Sequence, residues 1–128
     1  MKQILEVGPV KEIAASYDNF ACLTFRNEIF TWNQDENQFT VLDHERNIQM
    51  NLEFKGLSCG KEFGHVIDQH GNLYGWGNNK HGELGTGDCF PRTKLAQVRI
   101  FTNDKHYLRC KAVFNGHSFA FGLFDDLQ

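Results

Sequence analysis

An all-β fold made of repeated hairpins is predicted by two observations on the sequence. First, residues 13–33 match residues 57–77 without a gap when the chain is shifted by 44 positions, and the chain's two tryptophans, Trp32 and Trp76, then coincide. Second, the aligned segments contain short runs of aromatic and β-branched residues separated by polar turns, as in paired strands. Self-similarity at a fixed period indicates a repeat architecture in which each repeat forms one supersecondary unit.

Each copy predicts a hairpin. The predicted strands are residues 21–24 and 28–32 in the first copy, and 65–68 and 72–77 in the second. In the turn of the second copy, Asp68 occupies the first position of a type I turn, and Gly71 supplies the left-handed residue of a hairpin bulge. Because side chains alternate along a strand, Tyr74 and Trp76 share one face, and glycines on the other permit a close neighbour.

A third, partial copy is predicted near the C-terminus. Ala112-Val113 and then residues 117–121 resemble the opening half of the repeat, at an offset about ten residues longer, which implies a longer loop around residues 101–106. The segment Thr93 to Phe101 is predicted to be extended.

Composition excludes several classes of protein. The chain has 128 residues, of which 41% are hydrophobic and twelve are phenylalanine, so a packed core is expected. The net charge of −3 does not favour nucleic acid. The N-terminus has no apolar signal-peptide region, no apolar run approaches the ~20 residues of a membrane span, and the four cysteines form no close pair. We therefore expect an intracellular, cytoplasmic protein without membrane insertion; cytoskeletal, ciliary, organellar and nuclear locations stay open.

The glycine-rich stretch 73–88, L-Y-G-W-G-N-N-K-H-G-E-L-G-T-G-D, raises the question of a phosphate-binding loop. A dinucleotide fingerprint starting at Gly75 has Lys80 at its third glycine position. A Walker-type loop from Gly77 has Glu83 where lysine is required, and a carboxylate there repels phosphate. The stretch therefore predicts turns and close contacts, and no cofactor is expected.

Metal and catalytic sites are also not predicted. Five candidate ligands cluster in sequence without the spacing of a zinc site: Cys59, His65, His70, His81 and Cys89. We interpret Cys59 as the small residue of an opening turn. No nucleophile signature surrounds Cys59 or Ser118, so the protein is expected to be non-enzymatic.

The second copy carries a specific resemblance to a known family. Leu57-Ser58-Cys59-Gly60 is followed by residues 66–77, then Asn78 and Gly82-Glu83-Leu84-Gly85-Thr86-Gly87-Asp88. The order and spacing of these residues resemble those of a repeat of the regulator of chromosome condensation family. The first copy departs from the pattern, with Thr31 and Asn33 where the glycines of the family stand.

The resemblance implies a fold and two competing functions. The family builds closed β-propellers, usually of seven blades, so this chain is expected to be a partial β-propeller of about two to two and a half four-stranded blades. A chain of this length does not close the ring alone. The expected repeats are 9–53 (degenerate), 54–100 (well matched) and 101–128 (partial). The resemblance implies a scaffold or interaction subunit of a larger assembly, such as a cytoskeletal, ciliary or organellar complex. The alternative is a guanine-nucleotide exchange factor or regulator of a Ran-type small GTPase, or a fragment of one.

The most basic segment supplies the candidate contact. Residues 80–111 carry seven Lys or Arg against three Asp or Glu, although the whole chain is acidic. Because loops on a rigid scaffold commonly meet partners, we expect a protein partner at Arg92, Lys94 and Arg99. A second expected contact is the open edge of the incomplete propeller, which a partner protein would cover.

Overall fold

The computed structural model of the protein describes residues 9–16, 19–33, 38–42, 49–101, 108–116 and 119–125. In these residues no helix is long and apolar enough to cross a membrane. They form ten β-strands: β1 (Val10–Ser16), β2 (Asn19–Thr24), β3 (Ile29–Asn33), β4 (Gln38–Val41), β5 (Phe54–Gly60), β6 (Phe63–Asp68), β7 (Leu73–Gly77), β8 (Arg92–Val98), β9 (Arg109–Asn115) and β10 (Ala120–Asp125).

The strands form three antiparallel sheets, of which two are four-stranded meanders and one is a hairpin. In each sheet, strands that are consecutive in the chain are paired: β1 to β4 form the first sheet, β5 to β8 the second, and β9 with β10 a two-stranded third. Four-stranded meanders of this kind are the blades of a propeller. The predicted all-β partial β-propeller of about two and a half blades is therefore confirmed. We call the three sheets the first blade, the second blade and the third-blade hairpin.

The β2–β3 and β6–β7 turns have the same backbone geometry, 44 residues apart. In the second blade, Gly71 N donates to Asp68 O at 3.2 Å, and φ of Gly71 is 82°. In the first blade, Asn27 N donates to Thr24 O at 3.0 Å, and φ of Asn27 is 61°. Asparagine tolerates this left-handed conformation better than most residues. The predicted turn with a left-handed Gly71 is confirmed, and the first copy forms it without glycine.

The two faces of β7 differ as predicted. Tyr74 and Trp76 are both buried and lie in one core cluster. On the other face, a Cβ on Gly77 would lie 2.3 Å from Glu62 O. The close neighbour that requires glycine is thus backbone of the same blade, because the loop before β6 passes under the end of β7.

Two hydrophobic clusters join the three sheets. The first lies between the first and second blades, and the second lies between the second blade and the third-blade hairpin. The first cluster contains Ala21, Leu23, Ile29 and Leu42 from the first blade, and Cys59, Val66, Tyr74, Trp76 and Leu95 from the second. The second contains Ile67, Leu73, Val98, Cys110 and Val113. Successive β6 residues therefore face different neighbouring sheets, since Val66 packs in the first cluster and Ile67 in the second. The second blade is thus buried on both faces.

Polar contacts also cross between the first and second blades. The Glu12 carboxylate accepts hydrogen bonds from Gly56 N at 3.0 Å and Leu57 N at 3.3 Å. Lys11 Nζ donates to Phe54 O at 3.1 Å. These side chains satisfy backbone groups around an irregularity in the β5–β6 pairing, between Lys55 and Ser58, where the ladder leaves groups unpaired.

The structure corrects one interpretation and adds strands. Cys59 does not lie in an opening turn, because it pairs with Gly64 inside the β5–β6 ladder and the turn begins after Gly60. The sequence also gave no indication of β4, since its repeat lacks the glycine motif. Of the expected extended segment, residues 93–98 lie in β8, which ends at Val98. Most of the predicted loop at 101–106, together with His117 and Ser118, lies outside the described residues.

Candidate protein-binding site

The glycine-rich loop between β7 and β8 is organised by the buried amide of Asn79. Asn79 Oδ1 accepts a hydrogen bond from Leu84 N at 3.0 Å. Asn79 Nδ2 lies 3.1 Å from Thr86 Oγ1, 3.1 Å from Asp88 Oδ1 and 3.0 Å from Phe90 O. One side chain therefore ties together both ends of the loop that precedes the basic segment.

The loop geometry does not favour an anion. Glu83 Oε1 accepts a hydrogen bond from His81 N at 2.7 Å, so a carboxylate of the loop itself binds this amide. Three glycines of the loop have left-handed backbone, with φ of 73° at Gly82, 80° at Gly85 and 90° at Gly87. The glycines thus turn the chain around Asn79, in line with the interpretation that the stretch is structural.

Arg92, the first predicted contact residue, forms an ion pair with Asp88. Arg92 Nη2 lies 2.7 Å from Asp88 Oδ2, and Arg92 Nη1 donates to Phe90 O at 2.8 Å. The Arg92 hydrogen bond and the Phe90 N–H lower the pKa of Asp88 to about 2. Arg92 therefore closes the loop at the start of β8, besides presenting a partly exposed guanidinium.

Lys94 and Arg99 are more exposed than Arg92. Lys94 lies on β8, the edge strand of the second blade, and Arg99 follows the end of that strand. Arg99 Nη2 donates to Gln97 Oε1 at 3.4 Å. The structure thus places the three predicted residues along one sheet edge, with Arg92 held by the loop and the other two directed to solvent.

A buried polar joint connects the second blade to the third-blade hairpin. His65, on β6, is 1% exposed; its Nδ1 lies 3.1 Å from Asn115 Oδ1 and its Nε2 lies 3.0 Å from Leu84 O. Asn115 also donates from its backbone N to Ser58 Oγ at 2.9 Å and from Nδ2 to Ser58 O at 3.1 Å. Burial lowers the pKa of His65, with hydrogen bonds to Leu84 and Asn115 opposing that shift.

The cysteines do not form a reactive site in the described residues. Cys22, Cys59 and Cys110 are buried and Cys89 is exposed; all four are free thiols. Desolvation raises the pKa of Cys59 to about 12 and that of Cys110 to about 11. Because the thiolate is the nucleophilic form, these two side chains are poor nucleophiles at neutral pH.

The residues that organise these contacts were not predicted from the sequence. The repeat pattern includes Asn78, whose Oδ1 accepts a local hydrogen bond from Lys80 N at 3.1 Å, whereas the buried amide is Asn79. His65 was considered as a metal ligand, but it is the partner of Asn115, a residue 50 positions away. A polar residue inside an apolar strand, such as His65 between Gly64 and Val66, was the one available signal.

Comparison with known sequences gives a family and several relatives. The pattern described as Regulator of chromosome condensation (RCC1) repeat matches residues 70–123, a unit that runs from the β6–β7 turn to β10. F-box only protein 24 of Mus musculus is 36% identical over 73 residues, which cover 56% of this chain and 11% of that protein. Ultraviolet-B receptor UVR8 of Arabidopsis thaliana is 30% identical over 104 residues, which cover 75% of this chain and 24% of that protein.

The chain therefore spans between about a tenth and a quarter of these relatives. The division into repeats at 9–53, 54–100 and 101–128 stays a prediction, because the matched family unit begins and ends elsewhere.

Solved structures share the fold. Human WBSCR16 superposes with a TM-score of 0.76 at 15% identity, over 93% of this chain and 32% of that chain. Prp20p from Saccharomyces cerevisiae superposes with a TM-score of 0.68 at 17% identity, again over 93% and 32%. The match over residues 70–123 shows that the chain contains a Regulator of chromosome condensation (RCC1) repeat, and the solved structures show that it shares the fold of RCC1-like proteins.

Proposed function

We propose that this chain is a non-enzymatic protein-interaction subunit that acts as a scaffold within a larger assembly. The observation that carries this proposal is the contrast between the second blade, which is buried on both faces, and the sheets on either side of it. Repeat architectures bury each unit against its neighbours, so an end sheet needs a further layer of protein.

The outer face of the first blade is the first such surface. Phe30 and Trp32 of the first blade are the counterparts of Tyr74 and Trp76 of the second blade. Tyr74 and Trp76 are buried because they pack against the first blade. Ile13 at this end is 69% exposed. The face thus has the residue types of a blade interface, and in the described residues no further sheet packs on it.

The third-blade hairpin presents the second surface. Phe114, Phe119 and Leu123 are large apolar side chains that are about half exposed or more. Contiguous apolar surface on a protein of this size marks an interaction site more often than ordinary solvent-facing surface. A protein partner that covers the open end of the incomplete propeller accounts for these side chains.

The chemistry of the buried residues supports a binding role over catalysis. The thiols of Cys59 and Cys110 have raised pKa values, and both nitrogens of His65 face fixed oxygen atoms. These buried thiols and this buried imidazole are thus engaged in packing or in the joint between sheets.

The basic edge at Arg92, Lys94 and Arg99 is the proposed contact for an acidic segment of the partner. Because Arg92 also holds Asp88, the variant Lys94→Ala with Arg99→Ala separates binding from loop stability. The double variant Lys55→Ala with Lys80→Ala is the control, since it also removes two positive charges from exposed positions but leaves the basic edge intact. We expect the first pair alone to weaken partner capture, and more so at low salt.

Affinity purification of the tagged chain from native cells, followed by identification of the bound protein, tests the proposal directly. We expect a stoichiometric protein partner. A purified chain that is a compact, monodisperse monomer with cooperative melting, and that captures no partner, would contradict an assembly role.

Exchange of guanine nucleotide on a small GTPase is the second candidate function. The structure of Prp20p is described together with its binding to Gsp1p and histones, and the two folds are similar. A nucleotide-release assay over a panel of small GTPases separates the functions, because accelerated release requires exchange activity and a scaffold gives none.

A further inference from the structure

A cleft of about 350 Å³ lies between the first and second blades, at the ends of β3 and β7. Trp32 lines it from the first blade, and Glu62, Trp76, Asn78 and Pro91 line it from the second. Both walls belong to four-stranded sheets, β1 to β4 and β5 to β8. The volume lies near the lower limit for ligand pockets, which usually hold roughly 300–1,000 Å³. The cleft can therefore take up one side chain of a partner.

The two tryptophans form the apolar part of this cleft, which we call the tryptophan cleft. Trp76 is only 5% exposed and so lies at its floor. Trp32 is partly exposed, and its ring stacks on Phe20 with the centroids 6.3 Å apart and an interplanar angle of 28°. The stack holds the indole of Trp32 in place. Indole is the aromatic side chain that attracts a cation most strongly, because its ring face carries negative charge density.

Glu62 supplies the one charged side chain among the described residues that line the tryptophan cleft. It is exposed, and its carboxylate forms no ion pair with the described part of the chain. Lys61, the other residue of the β5–β6 turn, does not line the cleft. A carboxylate beside two indoles repels an anion and attracts a cation, so the chemistry of the cleft selects a positively charged group.

The backbone of Glu62 is left-handed, with φ of 64°. The other non-glycine residues with this conformation in the described ranges are Asn27 and Asn51, and asparagine tolerates it better than glutamate. Glu62 O accepts a hydrogen bond from Asn78 N at 2.8 Å, so the end of β7 holds the turn in this shape. Local backbone preference therefore does not explain a glutamate at this position, whereas a role for its carboxylate at the cleft does.

We propose that the tryptophan cleft binds an arginine side chain of a partner protein, whose guanidinium lies against the indoles and pairs with the Glu62 carboxylate. The inference rests on the proposed protein-binding function and names the residue that the partner inserts. Arginine fits this site better than lysine, because its planar guanidinium stacks on aromatic rings while its N–H groups bind a carboxylate at two points. Tryptophan and arginine are also enriched among the residues that dominate binding energy at protein interfaces.

The tryptophan cleft adjoins the basic edge. Pro91 lines the cleft, and the next residue, Arg92, begins the edge that continues to Lys94 and Arg99. A partner segment that places an arginine in the cleft and acidic residues on the edge would meet both surfaces with complementary charge.

Tryptophan fluorescence reports on the cleft directly, because Trp32 and Trp76 are the two tryptophans of the chain. Three acetylated and amidated pentapeptides, with a central arginine, lysine or citrulline between glycines, are titrated into the purified chain. Citrulline has the shape of arginine without its charge. We expect a saturable change in emission with the arginine peptide, about threefold weaker binding of the lysine peptide and at least about tenfold weaker binding of the citrulline peptide.

The variant Glu62→Asn separates binding from structure. Because asparagine suits the left-handed backbone, as at Asn27 and Asn51, the melting temperature should stay the same or rise. Binding of the arginine peptide should nevertheless weaken at least about tenfold, since the carboxylate is lost. Glu53→Gln is the control, because Glu53 is an exposed carboxylate beside the other end of β5, and its loss should leave binding unchanged.

Equal binding of the arginine and citrulline peptides, or no saturable change in emission, would overturn the proposal. Lysine binding as tight as arginine binding would overturn the assignment to arginine. If Glu62→Asn lowered the melting temperature and binding together, Glu62 would act through the structure of its turn and the proposed pairing would be wrong.

Capture of a partner from native cells distinguishes this inference from the proposed function. A captured partner whose binding is unaffected by Glu62→Asn would show that the arginine site is wrong while the proposed function stands. Binding of the arginine peptide without any captured partner would support the site and contradict the assembly role.

Discussion

Thr24 and Asp68 lie 44 residues apart and make the same turn with different side chains. Thr24 Oγ1 accepts hydrogen bonds from Arg26 N and Glu28 N, both at 3.2 Å. Asp68 Oδ1 accepts from His70 N at 2.8 Å and from Asn72 N at 2.9 Å. The two copies of the repeat therefore share individual hydrogen bonds, even where their residue types differ.

Asp68 is expected to matter more for stability than Thr24. Its other oxygen, Oδ2, accepts from Asn72 Nδ2 at 3.0 Å and from the buried Tyr74 hydroxyl at 3.1 Å. Asp68→Ala should lower the free energy of unfolding by about 2–4 kcal/mol, because it leaves buried donors unpaired. Thr24→Ala should cost about 1 kcal/mol. Urea denaturation of both variants measures the difference, and an equal loss would contradict it.

Asn79 is expected to hold the loop, whereas its neighbour Asn78 is not. Asn79→Ala removes an amide that is fully buried, and should lower the free energy of unfolding by about 2–4 kcal/mol. Asn78→Ala is the matched control and should cost under about 1 kcal/mol, since its hydrogen bond is local and exposed. Limited proteolysis should cleave the loop faster in the first variant only; similar cleavage of both would sink the assignment.

Alanine substitutions at Gly77 and Gly87 distinguish the cost of a steric clash from the cost of a left-handed backbone. Both have left-handed φ, 98° and 90°, which costs an alanine about 1–2 kcal/mol. Only at Gly77 does the added Cβ also meet backbone, 2.3 Å from Glu62 O; at Gly87 nothing lies within 4 Å. Gly77→Ala should therefore lower the melting temperature clearly more than Gly87→Ala. The reverse order would be inconsistent with the fold at the end of β7.

Stability is expected to fall in mild acid because of His65. Burial lowers the pKa of His65 below its ordinary value of 6.5, so the unfolded chain takes up a proton that the folded chain refuses. The free energy of unfolding should then decrease as the pH falls below about 6.5, by at most about 1.4 kcal/mol per pH unit, until the folded pKa is passed.

The His65 contribution is measured as a difference between variants. His65→Gln should flatten the decline in stability between pH 7 and pH 5 relative to the native chain. His70→Gln is the control, because His70 is exposed in the β6–β7 turn. A decline that is unchanged by His65→Gln would show that other groups cause it.

The strands around the tryptophans were predictable because their signals are local. Turn residues such as Asp68 and Gly71 act within five positions, and the alternation at Tyr74 to Gly77 follows from strand geometry. The β4 strand, which pairs with β3, was not predicted, because no turn signal of the repeat pattern marks its ends. Likewise, the sequence alone does not distinguish Asn79 from its neighbour Asn78, because only the folded loop buries Asn79.

The sequence by itself determined that the chain is all-β, that it repeats at 44 residues and that the glycines of residues 73–88 serve turns and close contacts, because these properties depend on spacing and local backbone preference. Only the tertiary structure decided which polar groups become buried and which sheet faces stay open. His65 meets Asn115 across 50 positions, because stacked sheets bring together residues that no local rule connects.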